Sequence, residues 1–334
     1  MSPALPFLVV LEPDTEFGSA NVIGNKNASL VELSRLGLHI PNSFALTTAF
    51  TQAFMERNAI RPKLLKFLDE VDYVHSASVI ECSMKLRLLI ESGDFPVDFQ
   101  NELLGDYTTL GKKNESSLPK VSVRSSARLE DLEFIRLAGA YETILGVSGE
   151  EKLIEAVKRC LSSMYTPVAM TMRHTFNLSQ DPIEIGMSVG VCSMVEADVA
   201  GAAFGADPMT GEMDSIIIEA NWGLGASVMD GSSLVDHFVV RKSDGVVMDR
   251  LVKRKNTMVI MGTKNGISVA ETPSELIEIP TLDDSDLARI ALYYKMIEKH
   301  YEKPMDVEWA IERGSRKLFF LQARPISHQK TRGG

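Results

Sequence analysis

The sequence predicts a mixed fold of helices and strands, α/β or α+β, large enough for two lobes. Three observations carry this. Helical spacing governs much of residues 24–105, strand-type alternation dominates from about residue 185, and the chain closes on two alternating runs around a short polar turn. The 334 residues, 45% of them hydrophobic, exceed the roughly 150 residues of one ordinary domain. The expected division is an N-terminal lobe over 1–184 and a strand-rich C-terminal lobe over 185–328.

The elements follow in order. Gly24-Asn25-Lys26 leads into a helix with Leu30, Leu33 and Leu36 at near-helical spacing. Asn27 is its expected N-cap, Gly37 its stop, and Pro41 follows. Residues 47–105 read as further helices, and the polar stretch Gly111–Ser117 as a loop. Lys120–Ala127 reads as a short strand ending in a basic, hydroxyl-rich turn, with helical stretches from about 150 to 178. From Ile185 to Val195, apolar Ile185, Met187, Val189 and Val191 alternate with smaller residues, a strand pattern. Asp214–Glu219 and His237–Lys242 read as two more strands. Asp306–Glu312 and Lys317–Ile326 read as a hairpin around Arg313-Gly314-Ser315-Arg316.

Composition narrows the function. A formal charge of −10 argues against non-specific binding to nucleic acid or anionic membrane, so any bound phosphate needs a local basic cluster. Cys82, Cys160 and Cys192 are odd in number and lack CxxC spacing, which fits reduced thiols in the cytoplasm. No apolar run approaches ~18 residues, so no membrane span is expected. The N-terminus lacks the basic region of a signal peptide.

Several segments carry candidate chemistry. A glycine and a lysine before a helix, as in Gly24-Asn25-Lys26, can hold an anion through free N–H groups, the helix dipole and the ammonium. Alone, such a segment is more often a solvated turn. Arg124 with Ser125 and Ser126 suits phosphate oxygens, and reads equally as a surface loop with an ion-paired arginine. Gly139 in Leu137–Thr143 would let backbone approach a ligand, with Thr143 as hydroxyl donor; a plain turn is the simpler reading. In the hairpin, alternation puts Asp306, Glu308, Ala310 and Glu312 on one face, and Leu318, Phe320, Gln322 and Arg324 on one face. A loop centred on Ser315 sets Glu308 opposite Gln322 and Asp306 opposite Arg324. Two carboxylates, an amide and an arginine then gather, as magnesium ligands or as a cross-strand salt bridge. Asn221–Gly225 is a tight turn near a site or a packing turn. Glu219 is a metal or ribose contact or a structural carboxylate.

Four segments in order, GNKNASLVELSRLGLHIPNSFALT, VSVRSSARLEDLEFIRLAGAYETILGV, VEADVAGAAFGADPMTGEMDSIIIEANWGLG and DVEWAIERGSRKLFFLQARPI, resemble one family. It is the nucleotide-binding region shared by phosphoenolpyruvate synthase, pyruvate phosphate dikinase and rifampin phosphotransferase, and the resemblance runs from about Gly24 to Ile326. It implies an α+β ATP-grasp fold, with ATP enclosed by two lobes. It implies that Lys26 and Arg124 contact ATP phosphates, and that Gly139 and Thr143 belong to a loop over the nucleotide. It further implies that Glu308, Gln322 and Arg324 serve metal and phosphates, Glu308 and Gln322 as Mg2+ ligands, and that the adenine hinge falls at Cys192, Met194 and Val195. The chain departs from the family pattern at Cys192-Ser193, where Gln-Lys is common. It departs also at Ile135-Arg136-Leu137, at Ala140-Tyr141, at Asn25 in place of a second glycine, and at Ala206.

Family members pass phosphate from ATP to a histidine in a glycine-rich, threonine-containing motif. None of the six histidines, His39, His75, His174, His237, His300 and His328, has that context. The resemblance therefore implies a histidine-bearing phosphocarrier as partner subunit or domain. Met1 and the polar ending favour a natural subunit, as in the split member phenylphosphate synthase. The alternatives are an excised domain of a phosphoenolpyruvate synthase or rifampin phosphotransferase-like enzyme, and a nucleotide sensor without transfer activity.

Overall fold

The computed structural model describes residues 5–113, 116, 118–128, 131, 132, 135, 136, 139–206, 213–263 and 265–326, with backbone only at 131, 132, 135 and 136. Leu137, Ala138 and His328, and the side chains of Ile135 and Arg136, lie outside the described residues. The α+β class expected from the sequence is the class observed. The chain forms two compact units: Met1–Val31, Asn42–Met194 and Lys264–Gly266 make unit 1, and Glu32–Pro41, Val195–Thr263 and Ile267–Gly334 make unit 2.

Unit 1 carries β1 (Leu8–Val10), α1 (Ala20–Arg35, counted with unit 2 from Glu32), β2 (Ser43–Leu46), α2 (Thr48–Arg57), α3 (Ile60–Asp69), α4 (Ser76–Glu91) and α5 (Val97–Lys113). There follow β3 (Val121–Ala127), β4 (Asp131–Leu132), β5 (Ile135–Arg136), β6 (Thr143–Val147), α6 (Glu150–Ser162), α7 (Pro167–Thr175), α8 (Pro182–Ile185) and β7 (Met187–Ser193). Its main sheet has the order β1-β2-β7-β3-β6, antiparallel throughout. Sequence reading put Ile185–Val195 at the start of the second lobe. β7 is instead the centre of the first sheet, between β2 and β3, and all seven of its residues are buried. The division therefore falls at Met194/Val195 rather than 184/185. Long-range strand pairing, which adjacency in sequence does not report, decides where such a strand belongs.

One face of this sheet is apolar: Val121, Val123 and Ala127 of β3 stand beside Met187, Val189 and Val191 of β7. The helical core includes Phe50, Phe54, Phe95 and Phe99, with the Phe50 and Phe99 ring centres 4.8 Å apart. α6 buries Leu153, Ala156, Val157, Cys160 and Leu161, the i, i+3, i+4, i+7, i+8 stripe of an amphipathic helix. The other face is small and polar: Ser122, Arg124 and Ser126 of β3 stand beside Cys192, Gly190 and Ser188 of β7.

Unit 2 carries β8 (Ala197–Phe204), β9 (Ser215–Trp222), α9 (Ala226–Met229), β10 (Asp236–Arg241), β11 (Val247–Leu251), β12 (Thr257–Met261), β13 (Ile267–Glu271), α10 (Asp284–Tyr301), β14 (Met305–Glu312) and β15 (Leu318–Pro325). Its main sheet has the order β11-β10-β9-β8-β14-β15, again antiparallel. Buried Leu287, Ile290, Tyr294 and Ile297 line the inner face of α10. The Tyr294 hydroxyl donates to the Met305 carbonyl and accepts from its N–H, both at 2.8 Å, which fastens α10 to the start of β14.

Two local expectations need correction. α5 runs to Lys113, so Gly111–Lys113 is its last turn and not loop. Arg124-Ser125-Ser126 is not a turn, because β3 continues through Ala127. The stop at Gly37 is as expected. Gly37 donates to the Ser34 carbonyl (2.9 Å) and Leu38 to that of Leu33 (3.1 Å), the paired bonds of a Schellman cap. Among the described residues, no helix is long and apolar enough to cross a membrane.

Candidate functional site

In unit 1 the geometry begins with a broken helix. Asn27 is not an N-cap, because a helical turn at Ala20–Ile23 precedes Gly24. At Gly24 the backbone leaves the helix (φ 70°, ψ 168°), and a Cβ there would lie 2.0 Å from the Ser126 carbonyl oxygen, so only glycine fits. The Ser126 hydroxyl enters the gap. It donates to the Ile23 carbonyl (3.0 Å) and accepts from the Asn27 N–H (3.2 Å), bridging the i, i+4 pair that the break separates. The Asn27 side chain turns to the sheet, donating to Ser188 Oγ (3.2 Å) and occupying the space above Gly190, where a Cβ would meet its Oδ1 at 2.2 Å. α1 is thus pinned against β3 and β7 by hydroxyls and a missing side chain.

This pinning delivers Lys26 beside β3, where its Nζ donates to the Ser125 carbonyl (3.2 Å). Arg124 is half-buried and pairs across strands with Thr143 on one side and Gly190 on the other. Thr143, at the start of β6, is exposed, and so is Gly139, with φ 76°. Lys26, Arg124 and Thr143 therefore come to one neighbourhood of unit 1. At the expected hinge, Cys192 is buried at the end of β7. The Ser193 N–H donates to the Asn42 carbonyl and that of Met194 to the Lys120 carbonyl, both at 2.9 Å. These two donors are engaged within unit 1. Val195, counted with unit 2, is buried.

In unit 2 the hairpin register is the one expected from a loop centred on Ser315. Asp306 pairs with Arg324 and Glu308 with Gln322. Beyond Glu308 the pairing shifts: Trp309 stands opposite Phe320, so the ladder steps over Leu321. A one-residue shift exchanges the faces of a strand. Leu318 and Phe320 therefore lie with Val307, Trp309 and Ile311 in the core, not on the face of Gln322 and Arg324 as simple alternation had it. The Phe320 and Tyr293 rings meet edge to face at 5.8 Å, which ties that apolar face to α10.

The polar face extends across the sheet. The ladders align Gln322, Glu308, Ala202, Glu219 and His237 in one row, and Arg324, Asp306, Phe204, Ile217 and Val239 in the next. Glu219 Oε1 lies 3.6 Å from His237 Nδ1. Arg324 Nε donates to Asp306 Oδ2 (2.8 Å), and its NH2 group lies 2.7 Å from the same oxygen as an ion pair. The cross-strand salt bridge is thus real, and it occupies only one oxygen: buried Asp306 Oδ1 has no hydrogen-bond partner among the described residues. Gln322 is also buried. Among the described residues, no three His, Cys, Asp or Glu side chains gather to hold a metal. A donor set of one or two carboxylates and an amide oxygen suits Mg2+, which keeps other positions for phosphate and water. Asn221 and Trp222 are not turn but the end of β9, where Asn221 Nδ2 donates to the Thr257 carbonyl (3.2 Å) and Trp222 Nε1 to that of Leu276 (2.9 Å).

The sequence matches the family described as pyruvate phosphate dikinase, AMP/ATP-binding domain, over residues 20–333. The chain belongs to this family. It is a dikinase-type ATP-binding domain, and its α+β units agree with the ATP-grasp class expected from the sequence. It is 34% identical over 310 residues to a probable phosphoenolpyruvate synthase of Methanocaldococcus jannaschii, covering 93% of this chain and 26% of that one. A probable phosphoenolpyruvate synthase of Methanothermobacter thermautotrophicus is 33% identical over 307 residues, covering 92% and 44%. A phosphoenolpyruvate synthase of Aquifex aeolicus is 33% identical over 322 residues, covering 91% and 37%. The chain spans 26–44% of the length of these relatives.

Asp306 reads from the sequence as a magnesium ligand or as the salt-bridge partner of Arg324, and the structure shows the salt bridge. Glu142 does not stand out in the sequence. Glu142 sits directly before Thr143, and nothing local distinguishes it from a solvated glutamate.

Proposed function

We propose that the chain binds Mg-ATP and phosphorylates a histidine on a partner subunit or domain, with AMP as eventual product. In this reading Lys26 and Arg124 contact the ATP phosphates, and Gly139 and Thr143 belong to the segment over them. Glu308 and Gln322 are the Mg2+ ligands, with Asp306 Oδ1 beside them. The metal, when bound, supplies positive charge against the phosphate oxygens. Phosphoryl transfer demands positioning and charge neutralisation more than covalent help, which in this reading Lys26 and Arg124 give from unit 1 and Arg324, Glu308 and Gln322 from unit 2. Arg324 is held by a hydrogen bond and an ion-pair contact to one carboxylate oxygen, so its planar fork is oriented before any ligand arrives. Backbone of the Cys192–Val195 segment remains the proposed adenine hinge, through groups other than the Ser193 and Met194 N–H donors.

The observation that carries this reading is the polar row of the unit 2 sheet: a buried aspartate with one oxygen unpartnered, beside a glutamate and a buried amide, within a family described as AMP/ATP-binding. The finer reading, an ATP-binding subunit of a split enzyme such as phenylphosphate synthase, rests on sequence resemblance alone. A cytoplasmic location is supported by three free, buried cysteines.

The experiment is to incubate the chain with labelled ATP, Mg2+ and a candidate histidine-bearing protein from the same source, following AMP and label on histidine. Lys26→Ala and Arg124→Ala should each slow labelling by about 10²-fold or more, the scale of losing one charge-stabilising donor. Labelling at the wild-type rate in both variants overturns the assignment. ATP binding without AMP formation across all candidates would leave a nucleotide sensor.

A further inference from the structure

The segment that follows Gly139 is fastened from behind by three arginines of unit 1. Among the described residues other than its chain neighbours, none lies within 4 Å of where a Cβ would stand at Gly139. Two residues later, the Tyr141 hydroxyl accepts from NH1 of Arg173 (3.2 Å), a fully buried arginine whose Nε donates to Gln180 Oε1 (3.0 Å). The next residue, Glu142, receives two cations. Its Oε1 accepts from Arg87 of α4 in a short contact, and its Oε2 from Arg159 of α6 (2.9 Å). Its backbone is equally engaged: the Glu142 carbonyl accepts from the Ser125 N–H (3.2 Å) and the Ser125 hydroxyl (2.8 Å). The Ser125 carbonyl in turn accepts from Lys26 Nζ (3.2 Å), and Glu142 is flanked by Thr143, the cross-strand partner of Arg124.

One residue thus sits at the crossing of two helices and two strands, a single hydrogen-bonded step from the backbone that carries Arg124 and holds Lys26. We propose that Glu142 is a positioning residue for the phosphate-binding set: its clamp by Arg87 and Arg159 fixes the junction from which Lys26, Arg124 and Thr143 are aimed. The inference rests on the reading of Lys26 and Arg124 as phosphate contacts.

Electrostatics alone predicts the opposite sign. Removing a negative charge near two arginines and a lysine raises the local positive potential and should favour a polyanion. Positioning predicts that the same change weakens binding, because the strand junction loses its two-point anchor.

The experiment titrates ATP, with Mg2+ in excess, into the full chain as wild type, Glu142→Gln, Glu142→Asp, Arg124→Ala and the double variant Glu142→Gln/Arg124→Ala. Thermal melts confirm that each is folded. Glu142→Gln should weaken ATP binding by about tenfold, and the loss should be far from additive with Arg124→Ala, as expected of coupled groups. Glu142→Asp, which keeps the charge, should recover part of the affinity. Where Glu142→Gln fails to fold, Arg159→Gln removes one arm of the clamp at a half-exposed position and should weaken binding in the same direction. Binding by Glu142→Gln within twofold of wild type, tighter binding, or full additivity with Arg124→Ala overturns the inference while leaving the parent reading intact. Absence of ATP binding by the wild type overturns both.

Discussion

Two ion pairs in unit 2 have the same closest N–O distance, 2.7 Å, and opposite degrees of completion. Asp236 and Lys255 are both fully buried, and every oxygen of the carboxylate is occupied. Oδ1 accepts from Lys255 Nζ (2.7 Å) and the Lys253 N–H (2.9 Å); Oδ2 accepts from the Thr281 N–H (2.8 Å) and hydroxyl (3.0 Å). Lys255 also donates to the Lys253 carbonyl (2.9 Å). This pair staples the start of β10 to two loops and has nothing left to offer a ligand. Asp306 and Arg324 are equally close, yet Asp306 Oδ1 stays buried without a partner among the described residues. A buried carboxylate oxygen left unpaired costs free energy that folding alone gives no reason to bear. Completion marks Asp236–Lys255 as a pair that builds the unit, whereas Asp306 Oδ1 keeps the accepting capacity that the proposed metal role of this face requires.

The contrast breaks most sharply at Lys255. Lys255→Met leaves the Asp236 carboxylate buried and uncompensated, and should destabilise the chain by about 3–5 kcal/mol, read from urea unfolding. At Asp306 the order of effects reverses. Asp306→Asn should cost about 1–2 kcal/mol of stability, while the Mg2+-dependent part of ATP affinity falls by about tenfold or more, as calorimetry with Mg2+ and with EDTA would separate.

A smaller effect concerns a buried group that is neutral. Burial, and next to it Glu142, push the Cys160 thiol from an ordinary 9.0 up to about 12, with Lys26 and Arg159 opposing. The folded chain keeps that proton while the unfolded chain releases it above pH 9. Stability from this thiol is therefore intact below pH 9 and declines as pH rises toward 12, by at most about 1.4 kcal/mol per pH unit. Melting curves of wild type and Cys160→Ala between pH 8 and 10.5 should diverge in slope, the wild type falling faster; equal slopes would contradict the buried-thiol account.

The hairpin was legible because polar residues on a strand of period two announce their partners. With the turn centred on Ser315, the pairs Asp306–Arg324 and Glu308–Gln322 follow by counting, and both are observed. The bulge was not legible, since Leu318-Phe319-Phe320-Leu321 is apolar on either face and carries no mark of a register shift. Gly24 and Lys26 stood out as a helix-proximal anion motif. The break within α1 did not, because it depends on a hydroxyl, Ser126, a hundred residues away. β7 was recognised as a strand and assigned to the wrong lobe, since its partners Phe44 and Val123 are remote in sequence. Glu142 was invisible for the same reason: its two arginines come from helices 55 and 17 residues distant.

The step over Leu321 sets how this hairpin tolerates inherited change. Because it shifts the phase of β15 by one, the same odd-even count yields core residues near the turn, Leu318 and Phe320, and residues of the polar face farther along, Gln322 and Arg324. Removing Leu321 would set Phe320, opposite Trp309, next to Gln322, opposite Glu308, so the strand would run regularly with every side chain on its present face. Exchanging one aliphatic for another at the same place would disturb neither face. Relatives that lack the bulged residue should therefore keep both faces and pair as a regular hairpin, whereas the loss of a residue that is paired in the ladder would exchange them.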